Sequence, residues 1–141
     1  MSCLFLSCNT TTDDNSGNNN QTTGMYHQSY DVSKGGVQIV AIQADQSNPK
    51  NDEWIVLQTN SRTSLNGWHI NAGDAGQEYT LYSFINDSLV IYTHADPDPI
   101  NARDTGLFLS SGKFIWNNTN PDTARLYNSA GSLVDVFTYE K

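Results

Sequence analysis

An all-β sandwich of about eight short strands is the fold that this sequence predicts, and three observations predict it. Short runs rich in Val, Ile, Thr, Tyr, Phe and Trp are separated by clusters of Gly, Pro, Asn and Asp. No stretch repeats its apolar residues at the helical period. The chain of 141 residues is long enough for one core and a polar leader, and too short for a second core.

The leader comes first. Met1 to Cys8 is a short apolar run, after which residues up to Thr23 are almost wholly Asn, Thr, Ser, Asp, Gly and Gln. Such a composition buries too little apolar surface to fold, so residues 1–36 read as a disordered leader and tether, and 37–141 as the domain. On this reading a chain beginning near Gly35 melts like the whole. Val37 to Ala44 is then the first strand, entered through Gly35 and Gly36. Residues 45–52 form a loop. Glu53 to Asn60 is apolar on both parities, which places it inside a sheet and buries both its faces. Asn66-Gly67 makes a turn, Trp68 and Ile70 share a face, and His69 takes the other as a solvated strand residue. After the Gly and Asp loop at Asn71 to Gly76, Tyr79 to Phe84 and Leu89 to Tyr92 are further strands. Residues 94–104 hold Asp96-Pro97 and Asp98-Pro99 and read as an exposed loop, because proline cannot join the interior of a ladder. Leu107 to Trp116 returns as a strand interrupted at Ser111-Gly112. Trp54, Trp68 and Trp116 sit among apolar neighbours and are assigned to the core.

The C-terminal stretch closes the domain as a hairpin. Thr123 to Tyr127 and the strand from Leu133 alternate around a loop containing Gly131. If Ala124 and Leu126 face the core together with Val134 and Val136, opposed residues have numbers of even sum. Ala124 then faces Val136, Leu126 faces Val134, and Arg125 lies opposite Asp135 on the outer face.

In wording as well as pattern this stretch resembles the signature of the lamin tail domain family. The residues concerned are Trp116, Asn117, Asn118, Asp122, Thr123, Ala124, Leu126, Tyr127, Gly131, Leu133, Val134 and Asp135. Glu53-Trp54-Ile55-Val56-Leu57 followed by Asn60, and Leu65-Asn66-Gly67-Trp68-His69-Ile70, match it in the same order. The resemblance implies an immunoglobulin-like β-sandwich over roughly residues 37–141 and a role in attachment or interaction. The connection at Asn86-Asp87-Ser88 departs from the family's Leu-x-x-Gly turn. The start of the chain is similar to the end of a bacterial lipoprotein signal, with Leu6-Ser7 before Cys8 as the lipid-bearing residue. It lacks that signal's positive n-region and full-length apolar segment. The other reading of Cys8 is an exposed thiol in the leader. With lipid on Cys8, Asn9 to Gly36 becomes a flexible tether spanning roughly 30 Å.

Charge and motifs narrow the function. Residues 37–141 hold twelve Asp or Glu and six Lys or Arg, which gives −6 within a chain of net charge −8. Scattered cations among twice as many carboxylates supply no phosphate-binding stripe, so nucleic acid is not expected as a partner. Both cysteines lie in the leader, and the domain holds no disulfide. Gly-x-Ser-x-Gly, His-Glu-x-x-His and paired cysteines at metal spacing are all absent from the sequence. Neither catalytic residues nor a cofactor are therefore expected. The weak candidates for a cation are Asp96, Asp98 and Asp104, near His94, since calcium takes several oxygen ligands from such loops; solvation is the simpler account of them. The leading expectation is a non-enzymatic binding or targeting module of the cell envelope or extracellular space. It would be a monomer, held at the membrane by lipid alone, with a protein or cell-surface polymer as partner. The alternative is a calcium-dependent glycan-binding or carboxylate-based hydrolase domain using Asp96 to Asp104.

Overall fold

The structure is a computed structural model that describes residues 25–44, 53–73, 77–93, 107–108, 115–116 and 120–140. Among these residues the chain is all-β. Its strands are β1 (Met25–His27), β2 (Gln38–Gln43), β3 (Trp54–Gln58), β4 (Thr63–Ser64), β5 (Trp68–Ala72), β6 (Gln77–Leu81), β7 (Phe84–Ile85), β8 (Ser88–Tyr92), β9 (Leu107–Phe108), β10 (Asp122–Tyr127) and β11 (Leu133–Tyr139). One sheet has the order β1-β2-β3-β8-β9 and a second β11-β10-β5-β6, while β4 and β7 make a two-stranded ribbon. Every pair is antiparallel except β8 with β9.

The two larger sheets and the ribbon contribute to one core. Ile42, Ile55 and Ile91 lie in register across β2, β3 and β8, and Ile39, Leu57 and Leu89 form the next row. From the second sheet come Ile70, Ala72, Ala124, Leu126, Phe137 and Tyr139. β3 does lie inside a sheet, but only Ile55 and Leu57 are fully buried there; Trp54 and Val56, on its other face, are half-buried. Of the three tryptophans, Trp116 is buried in the core and Trp68 packs against it.

Two bulges decide which residues reach that core. In β2 the pairing jumps between Ile39 opposite Leu57 and Ala41 opposite Val56. Val40 is the extra residue, so Ile39 and Ile42 both face inward although simple alternation would separate them. The second bulge corrects the expected terminal hairpin. The loop end does pair with even sum, Tyr127 with Leu133, but Leu126 opposes Asp135 and Ala124 opposes Phe137. Val134 is the inserted residue. Beyond it every side chain changes face: Asp135, Phe137 and Tyr139 turn inward, Val136 is exposed, and Arg125 lies opposite Val136 rather than Asp135. The loop itself is held by Asn128, whose Oδ1 accepts from the backbone N–H groups of Ala130 and Ser132. Gly131 supplies the positive φ that this turn requires.

The boundary expected after residue 36 is also corrected, because the first sheet begins at Met25. β1 pairs with β2 through Met25 opposite Gln43, Tyr26 opposite Ile42 and His27 opposite Ala41. The Tyr26 ring stacks on Tyr139 of the other sheet with centroids 4.3 Å apart. Between β1 and β2 the chain makes a turn capped by Asp31, whose Oδ1 accepts from the Ser33 hydroxyl and from the backbone N–H groups of Ser33 and Lys34. The Ser33 hydroxyl foremost, then those N–H groups, hold this carboxyl below its ordinary range. What stability the cap supplies is therefore present above the usual carboxylate pKa and lost as pH falls below it. Gln38, almost wholly buried, stitches the turn to β2: its amide donates to the carbonyls of Asp31 and Gly35, and its Oε1 accepts from the Asp31 N–H.

Lys34 completes the strap by pairing with the inward-facing Asp135, whose other oxygen, Oδ2, accepts from the Ile39 N–H of β2 at 2.7 Å. Removing this carboxylate leaves a buried N–H unsatisfied. Asp135→Ala should therefore lower the unfolding free energy in urea by about 2–4 kcal/mol, and Lys34→Ala by less, because its side chain is 49% exposed. Val136→Thr, on the exposed parity, should stay within about 0.5 kcal/mol. Equal losses at 135 and 136 would mean that Asp135 does not face the core while Val136 faces out.

A second measurement concerns the strap. A chain beginning at Gly35 lacks β1, the Tyr26 ring and Lys34, and it should melt well below a chain beginning at residue 24. Coincident melting curves would show that residues 25–34 contribute nothing to the fold.

Candidate functional site

Three acidic side chains are largely buried among the described residues, and each serves the backbone. Besides Asp135, Glu53 is 0% exposed at the start of β3. Its Oε2 accepts from the Ile115 N–H at 2.7 Å and its Oε1 from the Trp116 N–H at 3.1 Å, while the Thr93 hydroxyl donates to its carbonyl oxygen. The carboxylate therefore holds the segment carrying Trp116 against β3. Asp122, at the start of β10, accepts from the Thr123 N–H at 2.7 Å. It fills the space where a side chain on Gly73 would lie; Gly73 also has positive φ, so this position requires glycine. These acids have the burial of catalytic groups, but each accepts from at least one main-chain N–H, and Asp135 also pairs with Lys34.

His69 lies on the outer face of β5, where Nδ1 is 3.2 Å from the Thr80 hydroxyl and 3.8 Å from Glu78. That is the solvated strand position expected for it. Among the described residues no group of three His, Cys, Asp or Glu is placed to hold a metal ion. Cys8, His94, Asp96, Asp98 and Asp104 lie outside the described residues, so the lipid attachment and the acidic loop remain expectations of the sequence.

The feature that the sequence reading missed is the β4–β7 ribbon. Thr63 opposes Ile85 and Ser64 opposes Phe84. The pairing continues through Leu65 N–H to the Ser83 carbonyl at 2.8 Å and Gly67 N–H to the Leu81 carbonyl at 2.9 Å. Alternation sorts its side chains sharply: Leu65, Leu81 and Ile85 go into the core, while Arg62, Ser64, Asn66, Tyr82 and Phe84 face out. Tyr82 is 74% exposed and Phe84 55% exposed. The sequence predicts Tyr79 to Phe84 as one strand. The structure ends β6 at Leu81 and starts β7 at Phe84. Parity carried the missing signal: Leu81 and Ile85 are both odd-numbered core residues, so even-numbered Tyr82 and Phe84 must face the other way.

Arg62 is set beside this face by its loop. Thr59 donates its N–H to the Asp87 carbonyl and its hydroxyl to the Ser61 carbonyl, and the Thr63 hydroxyl also donates to Ser61. The Arg62 guanidinium then lies over the Phe84 ring, 5.0 Å from its centroid, a geometry worth about 0.5–1 kcal/mol at an exposed site. Two accessible rings, a guanidinium, a hydroxyl and an amide thus share one outward surface whose reverse side is pinned into the core. Tyr, Phe and Arg are the residue types that supply most recognition energy at binding surfaces, and this is the surface of the described chain that presents them together.

No family model matches the chain, and no curated protein matches it.

Glu53 offers the test of how the buried acids are used. Glu53→Gln exchanges one acceptor oxygen for an amide that cannot accept from the Ile115 or Trp116 N–H, and should lower stability by about 1–3 kcal/mol. Tyr82→Ala and Phe84→Ala, whose side chains are largely in solvent, should leave the urea midpoint nearly unchanged. A larger loss for the two aromatics than for Glu53 would show that the ribbon face is structural.

Proposed function

We propose that this chain is a non-enzymatic binding or targeting module of the cell surface, an immunoglobulin-like sandwich of the lamin tail kind tethered by lipid on Cys8. The observation that carries the binding reading is the outward ribbon face, with Tyr82, Phe84 and Arg62 held in place by Leu65 and Ile85 behind them. Exposed aromatic rings on a pinned scaffold are unfavourable for solubility and favourable for recognition.

Two features support the family resemblance as a fold signature. Glu53 of the Glu-Trp-Ile-Val-Leu segment and Asp135 of the Leu-Val-Asp segment are both buried and both hold backbone N–H groups. The matched acids therefore act in the frame, where a reaction would need them accessible to a substrate. The partner is a protein or cell-surface polymer. The acidic balance of the chain disfavours nucleic acid, and lipid is the one route to the membrane.

The reading is tested in two parts. With a complete secretion signal supplied, Cys8→Ala should move the protein from the membrane fraction to the soluble one without changing its melting temperature. A soluble chain beginning at residue 9 should co-sediment with isolated cell envelopes in a saturable way. Unchanged membrane partitioning of the Cys8→Ala protein would remove the lipid tether, and failure to sediment with any envelope preparation would remove the binding role.

A further inference from the structure

Resting on the reading of the chain as a binding module, we propose that the outward face of the β4–β7 ribbon is its binding site and that the ligand is a neutral polysaccharide lying across Tyr82 and Phe84.

The surface is the outer side of a two-stranded ribbon, with Ser64 directly across from Phe84 and Tyr82 two residues further along the same parity. Such a face, exposed along Ser64, Tyr82 and Phe84, suits an extended chain better than a small enclosed ligand. The rings are two positions apart in the chain, so at most about 7 Å separates their Cα atoms, a reach that successive units of one polymer can cover. An aromatic ring carries its negative charge on its faces, which complements the polarised C–H bonds on the flat side of a pyranose; Arg62 takes one face of Phe84, so a sugar would meet that ring on its other face or edge. The groups around the rings match the rest of a sugar. Ser64 and the Tyr82 phenol both donate and accept, Asn66 offers an amide, and the Arg62 guanidinium brings five donors in a fixed plane.

Charge separates this ligand from its rivals. None of the five outward residues is acidic, so the face offers little to a basic partner. Its one cation is already seated over Phe84, and the chain as a whole carries −8. A polyanion would approach against the field of the entire domain. The aromatic strip is also narrow: the exposed residues in the adjoining turns include Asn60, Ser61, Asn86 and Asp87, none of them apolar. A stable protein–protein contact covers about 800 Å² on each partner and ranges well beyond two rings. A strip of two rings bordered by hydroxyls, amides and one carboxylate fits the alternation of C–H faces and hydroxyls that a neutral glycan presents.

The experiment is affinity electrophoresis of the full chain through native gels containing xylan, mannan or mixed-linkage β-glucan, with polygalacturonate as the acidic comparison. The expected result is retardation in at least one neutral polymer. Tyr82→Ala and Phe84→Ala should each weaken it by about tenfold with unchanged melting, and Thr138→Ala, exposed on β11 at the edge of the second sheet opposite β6, should leave it intact. Retardation by polygalacturonate alone, retardation indifferent to the Tyr82→Ala/Phe84→Ala double variant, or retardation in none of the gels would each overturn the proposal. Envelope co-sedimentation separates this failure from that of the binding module. If the double variant still sediments with envelopes, or if protease treatment of the envelopes abolishes the binding, the glycan site is wrong and the binding role stands. If the parent chain sediments with nothing, both fall.

Discussion

The carboxylate of Asp135 sets the relation between the two large sheets. It lies on β11 of one sheet, accepts the Ile39 N–H of β2 in the other, and is paired with Lys34 from the strap that precedes β2. Hydrophobic contact alone would let two sheets slide over one another, because burial of apolar area has no direction. A buried carboxylate does have direction. Withdrawing it from water costs several kcal/mol unless its partners are in place, so the sheet arrangement that supplies an N–H and an ammonium is selected over its neighbours. The stack of Tyr26 on Tyr139, between β1 and β11, acts between the same two sheets and reinforces that choice. Glu53 follows the same logic elsewhere, tying the segment at Ile115 and Trp116 to the start of β3.

This explains why the second bulge matters. Had β11 continued the alternation of the loop end, Val134 and Val136 would face the core and Asp135 would sit in water beside Arg125. Insertion of Val134 turns two aromatics, Phe137 and Tyr139, inward along with the acid. The exchange brings larger apolar side chains into the core and leaves Val136 exposed. It is favourable only because Asp135 finds its partners on β2 and the strap, so the hairpin register and the ordering of residues 25–36 depend on each other.

Much of this architecture was legible in the sequence. The all-β class, the interior position of β3 and the shared face of Trp68 and Ile70 follow from β-branched runs and from parity, which are properties of neighbouring residues. The bulges were not legible. A single inserted residue, Val40 or Val134, leaves composition and local pattern unaltered while reversing the face of everything beyond it. β1 was hidden for a different reason: Met25-Tyr26-His27 is only three residues long and emerges from a polar leader, so its stability comes from β2 and Tyr139 rather than from its own propensity. The ribbon face was readable in principle, from the odd numbering of Leu81 and Ile85, but one continuous strand from Tyr79 to Phe84 leaves out both the break after Leu81 and the pairing of Phe84 and Ile85 with Ser64 and Thr63.

Placing the exposed rings on the ribbon has a physical consequence for the frame. The ribbon's inward residues, Leu65 and Ile85, are as fully buried as those of the main sheets, yet its outward side chains make no contribution to the core. The outward side chains can therefore vary there at little cost in stability, whereas the same rings on β3 or β10 would alter the packing of a whole sheet. The separation is sharpest between adjacent residues. Phe84 and Ile85 are consecutive, one largely in solvent and the other in the core, and the alternation of a single strand is enough to give them unrelated tasks.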